Sequence, residues 1–263
     1  MRFLNILVCP VCKNELNLRK GERLYRCSNG HSFDLAKEGY VNLLVGSRSG
    51  EGRGDSKASA RARKEFLDTG TFSSLKTAVG ERMKGTVLDI CCGEGYYDTY
   101  SGELYGFDLS KEMVRLAAKR NRGDNYRYFV GNLSSIPVAS SSVDTCIHLF
   151  APFHEKEFSR VMKDDGRLYS VIPGKDHLIE IKERVYEKPY RNDEKTPETE
   201  KLILLSKDRV KEKRILSGEN VRTLFSMTPY YYRTSEKDRN RLLSVSEMEV
   251  TLDFLILEYG KNS

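Results

Sequence analysis

The sequence predicts an α/β chain in which a doubly wound, mostly parallel sheet follows a small metal-bound module. Three observations predict it. From about residue 86, strand-like runs alternate with helical ones. A small-residue turn holding Gly93 and Gly95 follows the first of those runs, and three cysteines and a histidine near the N-terminus have the spacing of a tetrahedral metal site. The 263 residues, 39% hydrophobic and 31% charged, suffice for one or two domains and a sizeable core, and exclude a disordered or collagen-like chain.

The opening apolar stretch, residues 3–8, is interrupted by Asn5 and falls far short of the roughly 18 residues a spanning helix needs. It also lacks the apolar core and small-residue cleavage site of a secretory signal. The expected location is therefore cytoplasmic, with no membrane partner, and there six cysteines serve as ligands or core thiols rather than disulfides.

Cys9 and Cys12 are separated by two residues, Cys12 and Cys27 by fourteen, and Cys27 and His31 by three. Two turns at this spacing converge four ligands on one zinc. Four protein ligands leave no open coordination position, so the ion is structural, contributing roughly 10 kcal/mol or more to the folding of a segment too small to hold itself together. Pro10, Lys13 and Asn29-Gly30 supply the tight turns.

Charge is lopsided. Residues 1–64 hold 13 Lys and Arg against 6 Asp and Glu, whereas the remainder is nearly neutral. A basic quarter beside a neutral body suits a polyanion. Residues 46–54 carry four glycines and read as a flexible basic loop. Arg48, Arg53, Lys57, Arg61, Arg63 and Lys64 flank or follow it, placed to meet phosphates.

After the loop, Asp55 or Ser56 caps a helix running to about residue 68, and residues 72–83 form another. Strands are expected at 86–90, 104–108, 126–130, 144–150 and 167–172, with helices at 111–119 and 155–162. Residues 184–216 are highly charged and read as a partly mobile insertion; residues 246–259 read as a closing antiparallel strand.

The run 87–97 ends a buried strand in Cys91-Cys92-Gly93-Glu94-Gly95-Tyr96, whose glycines allow close backbone approach to a ligand. Asp108 ends the next strand, placed to accept bonds from both hydroxyls of a ribose. A dinucleotide site wants a third glycine where Asp98 stands, and a carboxylate there repels a pyrophosphate. Asp89 followed by Gly93 and Gly95 instead resembles the S-adenosylmethionine loop of class I methyltransferases, although Cys91 occupies the position where that loop usually has its first glycine. Asn132 and Leu133, after the third strand, are expected around the adenine, and Tyr96 and Leu109 complete the expected cofactor contacts.

The zinc cluster, the stretch 33–43, the cofactor loop, Phe150-Ala151-Pro152 and Met227-Thr228-Pro229 together are similar to the RlmA family of bacterial large-subunit ribosomal RNA guanine-N1 methyltransferases. The resemblance covers essentially the whole chain. It implies a Rossmann-like class I S-adenosylmethionine-dependent methyltransferase domain at 72–263, with a substrate-side insertion near 184–230. It further implies a zinc-binding RNA-recognition module at 1–34, a basic linker and helix at 35–71, and a hairpin of 23S ribosomal RNA as partner. Whether the chain pairs as a homodimer is left open.

Methylating guanine N1 requires a group that draws off its proton while the base is held outside its stack. Phe150, Pro152 and Phe153 are placed to line that pocket, and Met227, Thr228, Pro229 and Tyr230 to close it. His177 and Glu180, three apart, share one face of a helix and are the paired base candidates; His148 and His154 are rivals.

Overall fold

The computed structural model describes residues 5–19, 21–46 and 57–262. Most of the glycine-rich loop, with Arg48 and Arg53, and the two cap candidates Asp55 and Ser56 lie outside the described residues.

Three short strands, β1 (Asn17–Leu18), β2 (Leu24–Arg26) and β3 (Ser32–Asp34), form a small antiparallel sheet around the Cys/His cluster. β4 (Tyr40–Asn42) falls within the expected linker but joins the main sheet, pairing in parallel with residues 128–130. Tyr40 and Val41 are buried there, so an apolar pair on a sheet edge outweighs the charged neighbours that suggested a linker. Helices α1 (Lys57–Asp68) and α2 (Ser73–Gly80) follow.

Next come β5 (Val87–Ile90), β6 (Leu104–Asp108), α3 (Lys111–Arg120), β7 (Tyr126–Val130), β8 (Val143–Leu149), α4 (Glu155–Val161) and β9 (Met162–Pro173). The chain continues with α5 (Ile179–Val185), β10 (Leu202–Ser217), α6 (Gly218–Ser226), α7 (Pro229–Arg233), α8 (Glu236–Arg239) and β11 (Glu247–Lys261). The eight strands of the main sheet lie in the order β10-β11-β9-β8-β5-β6-β7-β4. Strands β4 to β9 pair in parallel, and β11 and β10 extend the sheet antiparallel.

The central strand β5 is buried along its whole length, as a parallel strand covered on both faces must be. One face carries α1, α2, α3, α5 and α6. The other carries α4 and the Cys/His module, whose Ile6, Leu7, Cys9, Leu16, Tyr25 and Cys27 share one core with Leu88, Ile90, Phe107 and Phe129. Backbone bonds from Val8 to Pro137 and from Ala139 to Ile6 tie module and sheet together.

The expected insertion at 184–216 resolves into two unlike parts. Residues 186–201 cross the surface without regular structure, whereas β10 pairs with β11 over its whole length. The charge of β10 reflects its place: an edge strand with one neighbour leaves alternate Lys, Arg, Asp and Glu side chains in water.

Candidate active site and metal centre

The ligand atoms of Cys9, Cys12, Cys27 and His31 all lie within 4.8 Å of one another. Cys12 Sγ and Cys27 Sγ are 3.6 Å apart, and His31 Nδ1 is 3.4 Å from Cys27 Sγ and 3.6 Å from Cys9 Sγ. Ligands about 2.0–2.3 Å from a tetrahedral zinc have edges near these values, so the three thiols and the imidazole fit one structural zinc. Two left-handed residues, Lys13 just after Cys12 and Gly30 between Cys27 and His31, turn the chain at each ligand pair.

At the carboxyl ends of β5, β6, β8 and β9 lies a cavity of about 870 Å³. An open α/β sheet places its ligand crevice there. The inner part is built from residues 89–97 and Asp108. Asp89 is buried at the end of β5, and burial, reinforced by the neighbouring Asp98 carboxylate, raises its carboxyl well above the usual range. Burial also raises Asp98, whose Oδ2 accepts a 2.6 Å bond from Tyr128 Oη. The Tyr128 hydroxyl accepts in turn from Asn121 Nδ2 at 2.8 Å. Asn121 also donates to the Gly95 carbonyl, and a Cβ on Gly95 would stand 2.7 Å from its Nδ2, so only glycine fits this left-handed corner.

Cys91 adopts φ +60°, which explains why the related loop uses glycine at that position: a side chain is tolerated at a cost of about 1 kcal/mol. Burial and the charges of Asp108 and Asp89 push its thiol up to about 12, so it is a neutral wall and no nucleophile. Asp108 is held on the cavity wall by the backbone amides of Gly93, 3.2 Å from Oδ2, and Ser110, 2.8 Å from Oδ1. Among the described residues Asp89 Oδ1 and Asp98 Oδ1 are both buried without any other partner, and the two carboxyl groups are linked to each other by a side-chain hydrogen bond. A corner lined by carboxyl groups suits a ligand that brings cations and donors; the sulfonium, amino and ribose groups of S-adenosylmethionine supply both, and a pyrophosphate supplies neither.

Several expected cofactor contacts lie elsewhere. Leu109 is exposed and neither it, Asn132 nor Leu133 lines the cavity; Asn132 Oδ1 accepts instead from the Ser134 amide and hydroxyl. Conversely, Arg63, read as a phosphate contact, lines the cavity from α1. Of its neighbours, Arg61 is exposed, and Lys64 pairs with Asp68 one helical turn on.

The outer part of the cavity is lined by Phe150, Pro152 and Phe153 after β8 and by Phe254 of β11, with Met227, Thr228, Pro229 and Tyr230 above. Phe150 has φ +54° and is half exposed, with its ring 5.7 Å from that of Phe254. Lys195 and Pro197 bring the irregular strap 186–201 to the same cavity, a contribution no sequence motif announced.

The four base candidates separate. Glu180 does not line the cavity; its carboxylate accepts from the amide and hydroxyl of Thr251, the amide at 2.8 Å, because α5 packs its first turn against β11. His154 is half-buried and also off the cavity wall. His148 lines it but is locked: Nε2 donates to the Pro152 carbonyl at 3.2 Å and Nδ1 accepts from Ser170 Oγ at 2.9 Å. Burial lowers its pKa to about 4, which keeps it neutral and fixes the turn that carries Phe150. His177 lines the cavity, with its ring 4.6 Å from Phe254.

The comparisons with known proteins agree with this architecture. The zinc-ribbon family profile described as RlmA, N-terminal, matches residues 7–46, and a methyltransferase-domain profile matches residues 87–167. A Bacillus subtilis (strain 168) protein whose name assigns it provisionally as a 23S rRNA (guanine-N(1)-)-methyltransferase is 29% identical over 95% of each chain. A Micromonospora griseorubida protein, provisionally assigned in the same words, is 31% identical over 68% of this chain and 69% of its own. The 23S rRNA (guanine(748)-N(1))-methyltransferase of Streptomyces fradiae is 32% identical over 66% of each. With a fitted zinc cluster, a carboxylate-lined cofactor corner and these relatives, the chain belongs to the 23S rRNA (guanine-N(1)-)-methyltransferase family.

Proposed function

We propose that this protein methylates N1 of one guanine in a hairpin loop of 23S ribosomal RNA, in the cytoplasm. The observation that carries this reading is the two-part cavity, where a carboxylate-rich corner at β5 and β6 opens into an aromatic chamber at β8 and β11. Bound S-adenosylmethionine supplies an electrophilic methyl group on a sulfonium. Asp108, oriented by two backbone amides, would hold its ribose, and Asp89 would face its cationic portion. Phe150 and Phe254 would receive the guanine after it leaves its stack. Positioning supplies most of the rate, and the overhanging residues 227–230 exclude water from the reacting atoms. The zinc module and the basic α1 would dock the hairpin.

Primer extension on ribosomal RNA from a deletion strain tests the assignment. One stop at a loop guanine should vanish in the deletion and return when the purified protein and S-adenosylmethionine are added to that RNA. An unchanged modification pattern overturns it.

A further inference from the structure

His177 is about nine-tenths buried between the end of β9 and β11, and one of its nitrogens is committed by the backbone. The amide of Asp253 points at Nδ1 across 3.3 Å. An amide can only donate, so Nδ1 accepts and the ring proton resides on Nε2. Turning the ring over would put carbon against that amide and leave a buried donor unpaired, which costs more than the observed arrangement. Nε2 has no hydrogen-bond partner among the described residues, and it is not one of the sealed, unpartnered atoms. It therefore keeps some accessible surface, on a residue that lines the cavity next to Phe254.

We infer that His177 is a fixed hydrogen-bond donor that reads the 6-oxo group of the target guanine through Nε2–H, and is no base. This rests on the proposed guanine-N1 activity. The chemistry suits that substrate. N1 loses its proton to solvent as the base enters the chamber, and its lone pair then attacks the methyl carbon while the C–S bond breaks to leave a neutral thioether. The deprotonated base shares its charge with the adjacent O6, so a donor aimed there favours the reactive form over the neutral one. Adenine presents an amino group at that position, so donor would face donor and the wrong base is rejected by an unpaired polar contact.

The surroundings keep the ring in this state. Burial lowers the His177 pKa to about 3, and the Lys182 ammonium of α5 acts in the same direction. The other charged groups near it are engaged in large part, Oδ1 of Asp253 being buried and unpartnered among the described residues. Asp253 accepts from the Asp176 amide and from Arg209, Asp176 pairs with Lys211 and Arg191, and Glu180 is held by Thr251. Asn192 of the strap clamps the loop by donating to the carbonyls of Gly174 and His177, while its own Oδ1 accepts from Tyr230 and Lys182.

The test pairs the side chain with the oxygen it should read. Hairpin transcripts carrying guanine or 2-aminopurine, which lacks the 6-oxygen, at the position mapped above are titrated against wild type, His177→Gln and His177→Ala. Wild type should lose at least tenfold in affinity when the oxygen is removed, whereas His177→Ala should lose less than threefold. His177→Gln keeps an N–H donor and should recover part of the difference and part of kcat. The wild-type kcat profile should show no histidine limb between pH 5 and 8. Equal losses in wild type and His177→Ala, or a wild-type limb near pH 6.5 that His177→Gln removes, overturn the inference. If no transcript is methylated at all, the proposed activity fails instead.

Discussion

Asp108 owes its orientation to the backbone. Its carboxylate is already oriented by Gly93 and Ser110, so a ribose would meet a rigid acceptor. Asp108→Ala should weaken S-adenosylmethionine binding at least tenfold by calorimetry, since each charge-assisted bond contributes about 1.5–3 kcal/mol; an unchanged Kd refutes the contact. The two cavity histidines predict a pH dependence of stability. Both have folded pKa values, about 4 and about 3, below the unfolded value near 6.5. The unfolded chain therefore binds more protons at acid pH, and stability falls as pH drops from about 6.5 to about 4. For His148 the loss is on the order of 3 kcal/mol, while Asp89, whose raised carboxyl favours acid conditions, offsets part of it. Denaturant midpoints across that range check it, and His148→Leu should flatten the slope. These side chains were legible in the sequence as types and spacings. Which nitrogen of His177 carries a proton was not, because that depends on an amide 76 residues away. Glu180 misled for the same reason: its partner Thr251 is brought to it only by the sheet.

At the scale of elements, parallel strands and their helices were readable because apolar runs and caps are local signals. Ser110 accepts from the Met113 amide at the start of α3, with Glu112 in the first turn and Lys119 and Arg120 in the last, a start and stop the sequence displays outright. β10 was hidden because an edge strand need not look apolar, and the strap because it has no pattern of its own. The turn after β8 carries a sharper expectation. His148 connects Ser170 of β9 to the Pro152 carbonyl and so sets the left-handed Phe150. His148→Leu should lower kcat at least tenfold while leaving S-adenosylmethionine affinity within twofold, because the turn shifts and the cofactor corner does not. A variant with full kcat would show that Phe150 is held by something else. The four expected metal ligands converge at zinc-like separations, and the residues around them reach further than a self-contained module would.

Across the whole molecule, that reach alters what metal removal should do. The module and the sheet share one core under β5, β6 and β7, so stripping zinc exposes apolar surface of the methyltransferase domain as well. Chelation, or Cys12→Ser, should give one cooperative unfolding transition at lower Tm and weaken S-adenosylmethionine binding. Calorimetry showing two independent transitions, with the second unmoved, would contradict a shared core. The position of β11 has a further consequence, in time rather than space. It supplies Phe254 and the amide that orients His177, yet it inserts between β9 and β10 and is synthesised after both. During translation the cofactor corner, built from residues 89–108, can condense well before the guanine chamber exists. A nascent chain caught at that stage can hold its methyl donor but cannot read a base, and it leaves an open edge on β9 that invites pairing with other chains until the final strand closes it.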